Sequence, residues 1–135
     1  MVGSALRRQG DRPVGPDDPG GPDHGWFRQG TIDLRKFERY LFDPEHPQNE
    51  GKAEGWRKVF GLGPGDAVVA ERLIREQIDQ AEIVEQEPKG RYRRWELLIP
   101  DCVGPNGNVA PLLTAWALDP DNKLPHLSTS FPRPP

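Results

Sequence analysis

The residues of this sequence that could do chemistry are His46, Lys52, Tyr92, Arg94, Thr114 and Thr129. His46 sits in Asp43-Pro44-Glu45-His46-Pro47, where two prolines stiffen the loop. Histidine changes charge near neutral pH, which suits acid–base work, although the ring could equally cap the next helix or hydrogen-bond Glu45. Lys52 falls at the start of a helical pattern, where backbone N–H groups already favour an anion. It can hold a phosphate as a point charge, or simply be a solvated helix residue. Arg91-Tyr92-Arg93-Arg94-Trp95 is the one dense basic run. On a strand, Tyr92, Arg94, Glu96 and Leu98 share one face, and Arg91, Arg93, Trp95, Leu97 and Ile99 share the other, heavier apolar face. Tyr92 and Arg94 would then offer a stacking surface and a cation to single-stranded RNA; the alternative is a solvated strand pairing with Glu82, Glu85 and Glu87. Thr114 and Thr129 could touch phosphate if exposed and would hydrogen-bond locally if buried. A proton-transfer group, phosphate clamps and hydroxyl donors are what phosphodiester cleavage without a metal requires.

Other chemistries are poorly served. No Gly-rich loop ends in Lys-Ser/Thr, and no Gly-x-Ser-x-Gly occurs. The histidines at 24, 46 and 126 lie far apart, and Cys102 is the only cysteine, so neither a metal centre nor a disulfide framework is expected. No cofactor is implied. The 135 residues carry a net charge of −3, which argues against binding double-stranded DNA through bulk charge. An RNA-directed protein of this balance needs a local positive groove. No apolar run approaches a membrane span.

Those candidates need elements to position them. Residues 1–30 hold seven glycines and four prolines and read as a disordered linker or extension, with Trp26 and Phe27 either anchoring it or ending it. No apolar run follows Arg7 and Arg8, so the segment does not read as a signal peptide. Residues 31–135 read as one domain. Leu34, Phe37, Tyr40 and Leu41 form a helical stripe that Asp43-Pro44 stops. Asn49 can cap a second, short helix bearing Ala53, Trp56, Val59 and Phe60, and Asp66 a third with Ala70, Leu73, Ile74 and Ile78 inward and a Glu71–Arg75 pair outward. After Ala81 the period becomes two. Turns at Pro88-Lys89-Gly90, Gly104-Pro105-Asn106-Gly107 and Asp119-Pro120-Asp121-Asn122 separate four strands. The predicted fold is α+β, with three N-terminal helices packed on one face of a four-stranded antiparallel sheet.

The ordered set Phe37-x-x-Tyr40-Leu41-Phe42-Asp43-Pro44-Glu45-His46-Pro47, Gly51-Lys52-Ala53, Gly104-Pro105-Asn106-Gly107, Thr114-x-Trp116 and Pro125-x-Leu127-x-Thr129-x-Phe131-Pro132 resembles a bacterial domain family of unknown function. That family recurs at the C-termini of polymorphic toxins and in phage head-morphogenesis proteins. Its helices-then-strands order is similar to the barnase–EndoU–colicin–RelE-like nucleases. One departure is His126, where the resemblance leads to an arginine. The resemblance implies a metal-independent ribonuclease-like effector, with His46 as acid–base residue, Lys52 and Arg94 as phosphate clamps and Thr129 as auxiliary donor. Tyr92 and Thr114 would contact the RNA substrate. Such a protein would work in the cytoplasm, or be delivered into a target cell as part of a secreted effector, and could have a cognate immunity protein. The competing reading is a non-catalytic binding module, an adaptor or an immunity-like partner of a toxin or phage system.

Overall fold

A computed structural model describes residues 22–133. The chain is α+β, with several helices and a four-stranded antiparallel sheet. The strands are β1 (Glu82–Lys89), β2 (Tyr92–Val103), β3 (Val109–Leu118) and β4 (His126–Pro132). They lie side by side in chain order, the meander that the turns predict. The Asn-Gly turn closes with the Gly107 N–H on the Gly104 carbonyl at 3.0 Å. Its left-handed residue is Gly107, at φ +87°, a conformation that glycine adopts without steric cost.

Four helical segments occur among the described residues, against the three expected. The additional one, α1 (His24–Arg28), lies inside the stretch read as a linker. Trp26 and Phe27 anchor it: they are 6 % and 0 % exposed and meet Trp95 and Trp116 edge-on at ring distances of 5.2 and 5.8 Å. Asp23 caps the helix through the Trp26 N–H. A Cβ on Gly30 would lie 2.8 Å from the Trp116 ring, so a glycine read as linker is a close-packing position. Two large aromatic rings bury enough surface to order the chain here, so α1 packs with the domain that the sequence reading begins at residue 31. The linker reading of residues 1–21 lies outside the described residues.

The second segment starts as α2 (Leu34–Lys36) and widens into a π-helical turn over Phe37–Leu41. The Phe42 N–H reaches the Phe37 carbonyl at 2.7 Å, and residues 37, 41 and 42 are all buried. The third runs from α3 (Lys52–Gly55) into a π turn over Trp56–Phe60. Trp56 is fully buried and donates its indole N–H to the Ser130 carbonyl at 3.0 Å, which fixes this segment against β4. The fourth, α4 (Ala67–Gln77), ends in a 3-10 turn over Ile78–Gln80 and buries Ala70, Leu73, Ile74 and Ile78 as its periodicity predicts. Asp66 occupies the capping position without a cap bond, because its carboxylate accepts from Gly63 N–H instead. Glu38, from the preceding π turn, accepts from the Gly65 and Ala67 N–H groups. Arg75 pairs with Glu71 as expected at 2.9 Å. It also donates to the carbonyls of Arg28 and Gly30, so it faces α1 rather than open solvent.

One core joins helices and sheet: Trp95, Leu97 and Ile99 from β2 and Leu112, Trp116 and Leu118 from β3 pack with Phe37, Trp56, Phe60 and Ile74. Among the described residues no helix is long and apolar enough to cross a membrane.

Candidate functional site

Tyr40, in the π turn after α2, is the centre of the most densely functionalised region. Its hydroxyl accepts a hydrogen bond from Lys52 Nζ at 2.9 Å. The ammonium lies 5.3 Å from the Tyr40 ring centroid and 5.4 Å from that of Phe131 on β4, and the Lys52 side chain is only 14 % exposed. The ammonium is thus flanked by two aromatic faces and by the Glu50 carboxylate at 3.8 Å. On its other neighbour, the Tyr40 ring meets the His46 ring at 4.9 Å.

Local structure explains this convergence. The loop after Phe42 is a run of tight turns: Asp43 accepts from the Glu45 and His46 N–H groups, and His46 accepts from those of Gln48 and Asn49. Asn49, 2 % exposed, joins the two helical segments. Its amide donates to the carbonyls of Tyr40 and Leu41, and its oxygen accepts from the Ala53 N–H at 2.9 Å. The capping role read for Asn49 is thus met, with the additional effect of holding Tyr40 beside α3.

The loop, α2 and β4 enclose a pocket of about 520 Å³ lined by Lys36, Arg39, Tyr40, His46 and Ser128, together with the Asp33–Arg35 pair. Lys36 Nζ donates to the Ser128 carbonyl at 3.1 Å. Arg39 has no ion-pair partner among the described residues. The His46 Nδ1 accepts the Gln48 N–H at 3.1 Å, which places the ring proton on Nε2. The pocket wall therefore offers two cations without an ion-pair partner among the described residues, a phenol and an imidazole N–H, beside the Asp33 carboxylate that Arg35 pairs, and its donors suit an oxyanion.

The sequence-read residues are distributed around this pocket unevenly. His46 and Lys52 come together through Tyr40. Thr129 is next to Ser128 on β4, and its Oγ1 is buried with no hydrogen-bond partner among the described residues. Arg94 lies opposite Ala117, which lies opposite His126, so two strand spacings, roughly 10 Å, separate it from β4. Its Nε donates to the Glu87 carbonyl at 2.9 Å. Tyr92 is 38 % exposed and meets the His126 ring edge-on at 6.4 Å. Thr114 is corrected: it points into the core, fully buried, donating to the Leu97 carbonyl and accepting from the Trp116 indole. Its strand position is opposite Leu97 on the core face, so no substrate reaches its hydroxyl. The basic run divides as its alternation predicts, with Arg93 on Glu85 at 3.0 Å and Arg91 on Asp119 and Asp121.

Lys36 and Arg39 were not singled out by the sequence reading, and Tyr40 entered it only as part of the helical stripe and the family motif. Their spacing was the available signal, since residues 36, 39 and 40 share one helical face. His126, noted as a departure, is half-buried on β4; burial, with the nearby Lys36 charge, holds its pKa below the usual histidine value against the pull of Asp119. Cys102 is buried, and burial pushes its thiol up to about 12.

No curated protein and no solved structure shows significant similarity to the chain. A family model described as a domain of unknown function, DUF6883, matches residues 27–134. That span begins at the buried Phe27, within α1, and takes in all four strands. The chain belongs to the DUF6883 family.

Proposed function

We propose that the domain is a metal-independent, ribonuclease-like effector that acts on RNA in the Tyr40 pocket. The observation that carries this reading is the gathering of Lys36, Arg39, Tyr40 and His46 around one concavity, with Lys52 bonded to the Tyr40 hydroxyl. In-line cleavage forms a bond from the RNA 2′-oxygen to phosphorus and breaks the bond to the 5′-oxygen. The 2′-hydroxyl loses a proton to a base, and the departing 5′-oxygen gains one. Lys36, Arg39 and the His46 Nε2–H would hold the non-bridging oxygens. His126, two residues from Ser128 on β4 and not itself part of the pocket lining, would take that proton as the base. The Tyr40 hydroxyl gives the proton to the 5′-oxygen, and the Lys52 ammonium stabilises the phenolate left behind. His46 then serves as a donor, in place of the acid–base role read from sequence, because protonating Nδ1 would break its bond from the Gln48 amide. Tyr92, beside His126, would stack on a neighbouring base; Arg94, engaged with Glu87, would contact the strand only further along.

The toxin and phage associations implied by the resemblance fit an effector delivered into a target cell, or one acting in the cytoplasm under an immunity protein, and both belong to this proposal. A non-catalytic binding module is the second reading, favoured by the engaged Nδ1 of His46. Incubating the purified protein with a single-stranded RNA in EDTA distinguishes the two. Cleavage to 2′,3′-cyclic phosphate ends supports the effector, and binding without cleavage supports the module.

A further inference from the structure

The two edges of the sheet are treated differently. Strand β4 is covered: Trp56 and Lys36 donate to its carbonyls at Ser130 and Ser128. Strand β1 is the other edge, and among the described residues no strand pairs with its outer side. Over residues 82–87 it therefore presents roughly 20 Å of backbone donors and acceptors with no strand partner. The sheet face beside this edge is apolar in its floor. Val84 and Leu98 are 44 % and 36 % exposed and lie over Leu113 in a groove of about 410 Å³. Glu82 and Glu96 flank it and have no ion-pair partner among the described residues. Arg133 stands at the far end of the groove, and Arg94 is held by the Glu87 carbonyl.

We propose that β1 is a docking edge for an extended segment of a partner protein in which every second residue, on one face, is basic and apolar by turns. The segment adds as a fifth strand, with its backbone paired to β1, apolar side chains over Val84 and Leu98, and cations opposite Glu82 and Glu96. Charge selects this occupant over a second copy of the same chain. Strand β1 carries Glu82, Glu85 and Glu87 against Lys89, and of the three carboxylates only Glu85 is paired among the described residues, with Arg93, so two β1 strands side by side would bring like charges together. The edge lies at the opposite end of the sheet from the Tyr40 pocket, and a partner bound there leaves that pocket open. The proposal does not depend on the ribonuclease reading.

The test uses a ten-residue Lys/Val peptide, with Lys and Val by turns at every second position and Thr between them, blocked at both ends, titrated into the protein at physiological salt and followed by NMR. Amide shifts are expected along β1 and at Leu98. Methylating the peptide nitrogens that face β1 is expected to weaken binding at least tenfold, because strand pairing needs those donors. The double change Glu82→Lys and Glu96→Lys is expected to weaken the Lys/Val peptide at least tenfold and to favour its Glu/Val counterpart, with an unchanged melting temperature as the control on folding. No binding, binding indifferent to N-methylation, equal affinity for the Glu/Val peptide, shifts mapping away from β1, or a dimer of the free protein formed through β1 would each overturn the proposal.

Discussion

At the scale of single residues, proton positions and burial decide what each group can do. His126 illustrates this with a sign that can be measured. Its pKa is lowered in the fold, by burial first and then by Lys36, so below the ordinary histidine value of about 6.5 the unfolded chain binds the proton more readily. The neutral ring therefore contributes stability that is fully present above that value and lost as pH falls through it toward the lower folded pKa. Thermal melts at about pH 7.5 and pH 5.5 should show a smaller drop for His126→Gln than for the unmodified protein. Equal drops would mean that the ring is not held neutral by the fold. This property was not legible in the sequence, because the groups that set it come from α2 and from the turn before β4. His46 was legible as a candidate from its two flanking prolines, but the Gln48 amide that takes its Nδ1 depends on the turn geometry of the loop.

At the scale of elements, two π-helical turns and one asparagine set the pocket. The Phe37-to-Phe42 hydrogen bond widens the helix after α2. Asn49 then holds its last carbonyls against the start of α3. Replacing Asn49 by alanine leaves the Leu41 carbonyl and the Ala53 N–H unmet in a buried place, and the Tyr40 carbonyl with the Asp43 N–H alone, at about 1–3 kcal/mol for each group that water cannot reach. A urea titration is expected to show a loss of about 3 kcal/mol, and a loss below 0.5 kcal/mol would contradict the role assigned to it. The hairpin after β2 makes a second demand. A Cβ on Gly104 would lie 2.3 Å from the Phe60 ring, so Gly104→Ala should destabilise by about 1–3 kcal/mol, as overpacking does. The strands and their order were readable because the turns are marked by Asn-Gly, Pro and Gly, and alternation is a local signal. The π turns were not, since a hydrophobic stripe spaced 3, 3 and 1 residues apart fits an ordinary helix equally well. The Glu38 cap on α4 was hidden for a related reason: its donors lie 27 and 29 residues away in the chain.

At the scale of the whole molecule, the short first helix belongs to the core, although glycine and proline counts make its sequence look like a linker. A chain starting at Thr31 lacks Trp26 and Phe27, exposing the edges of Trp95 and Trp116 that they cover. Losing either ring costs about 3–5 kcal/mol by analogy with core truncations, a large share of the ~5–15 kcal/mol that holds a domain of this kind together. Such a chain is expected to be unfolded or molten at 25 °C, whereas one starting at Gly21 should melt like the full protein. The net charge of −3 makes the account of function depend on a local field, and the cations of the Tyr40 pocket supply it. The most direct measurement is cleavage of a single-stranded RNA in EDTA by the unmodified protein, Tyr40→Phe and Lys52→Met, with melting temperatures recorded alongside. The account expects cleavage by the unmodified protein and a rate at least a hundredfold lower in both folded variants, with RNA affinity within threefold for Tyr40→Phe. RNA left intact by the unmodified protein, or full activity in the folded Tyr40→Phe protein, would contradict it.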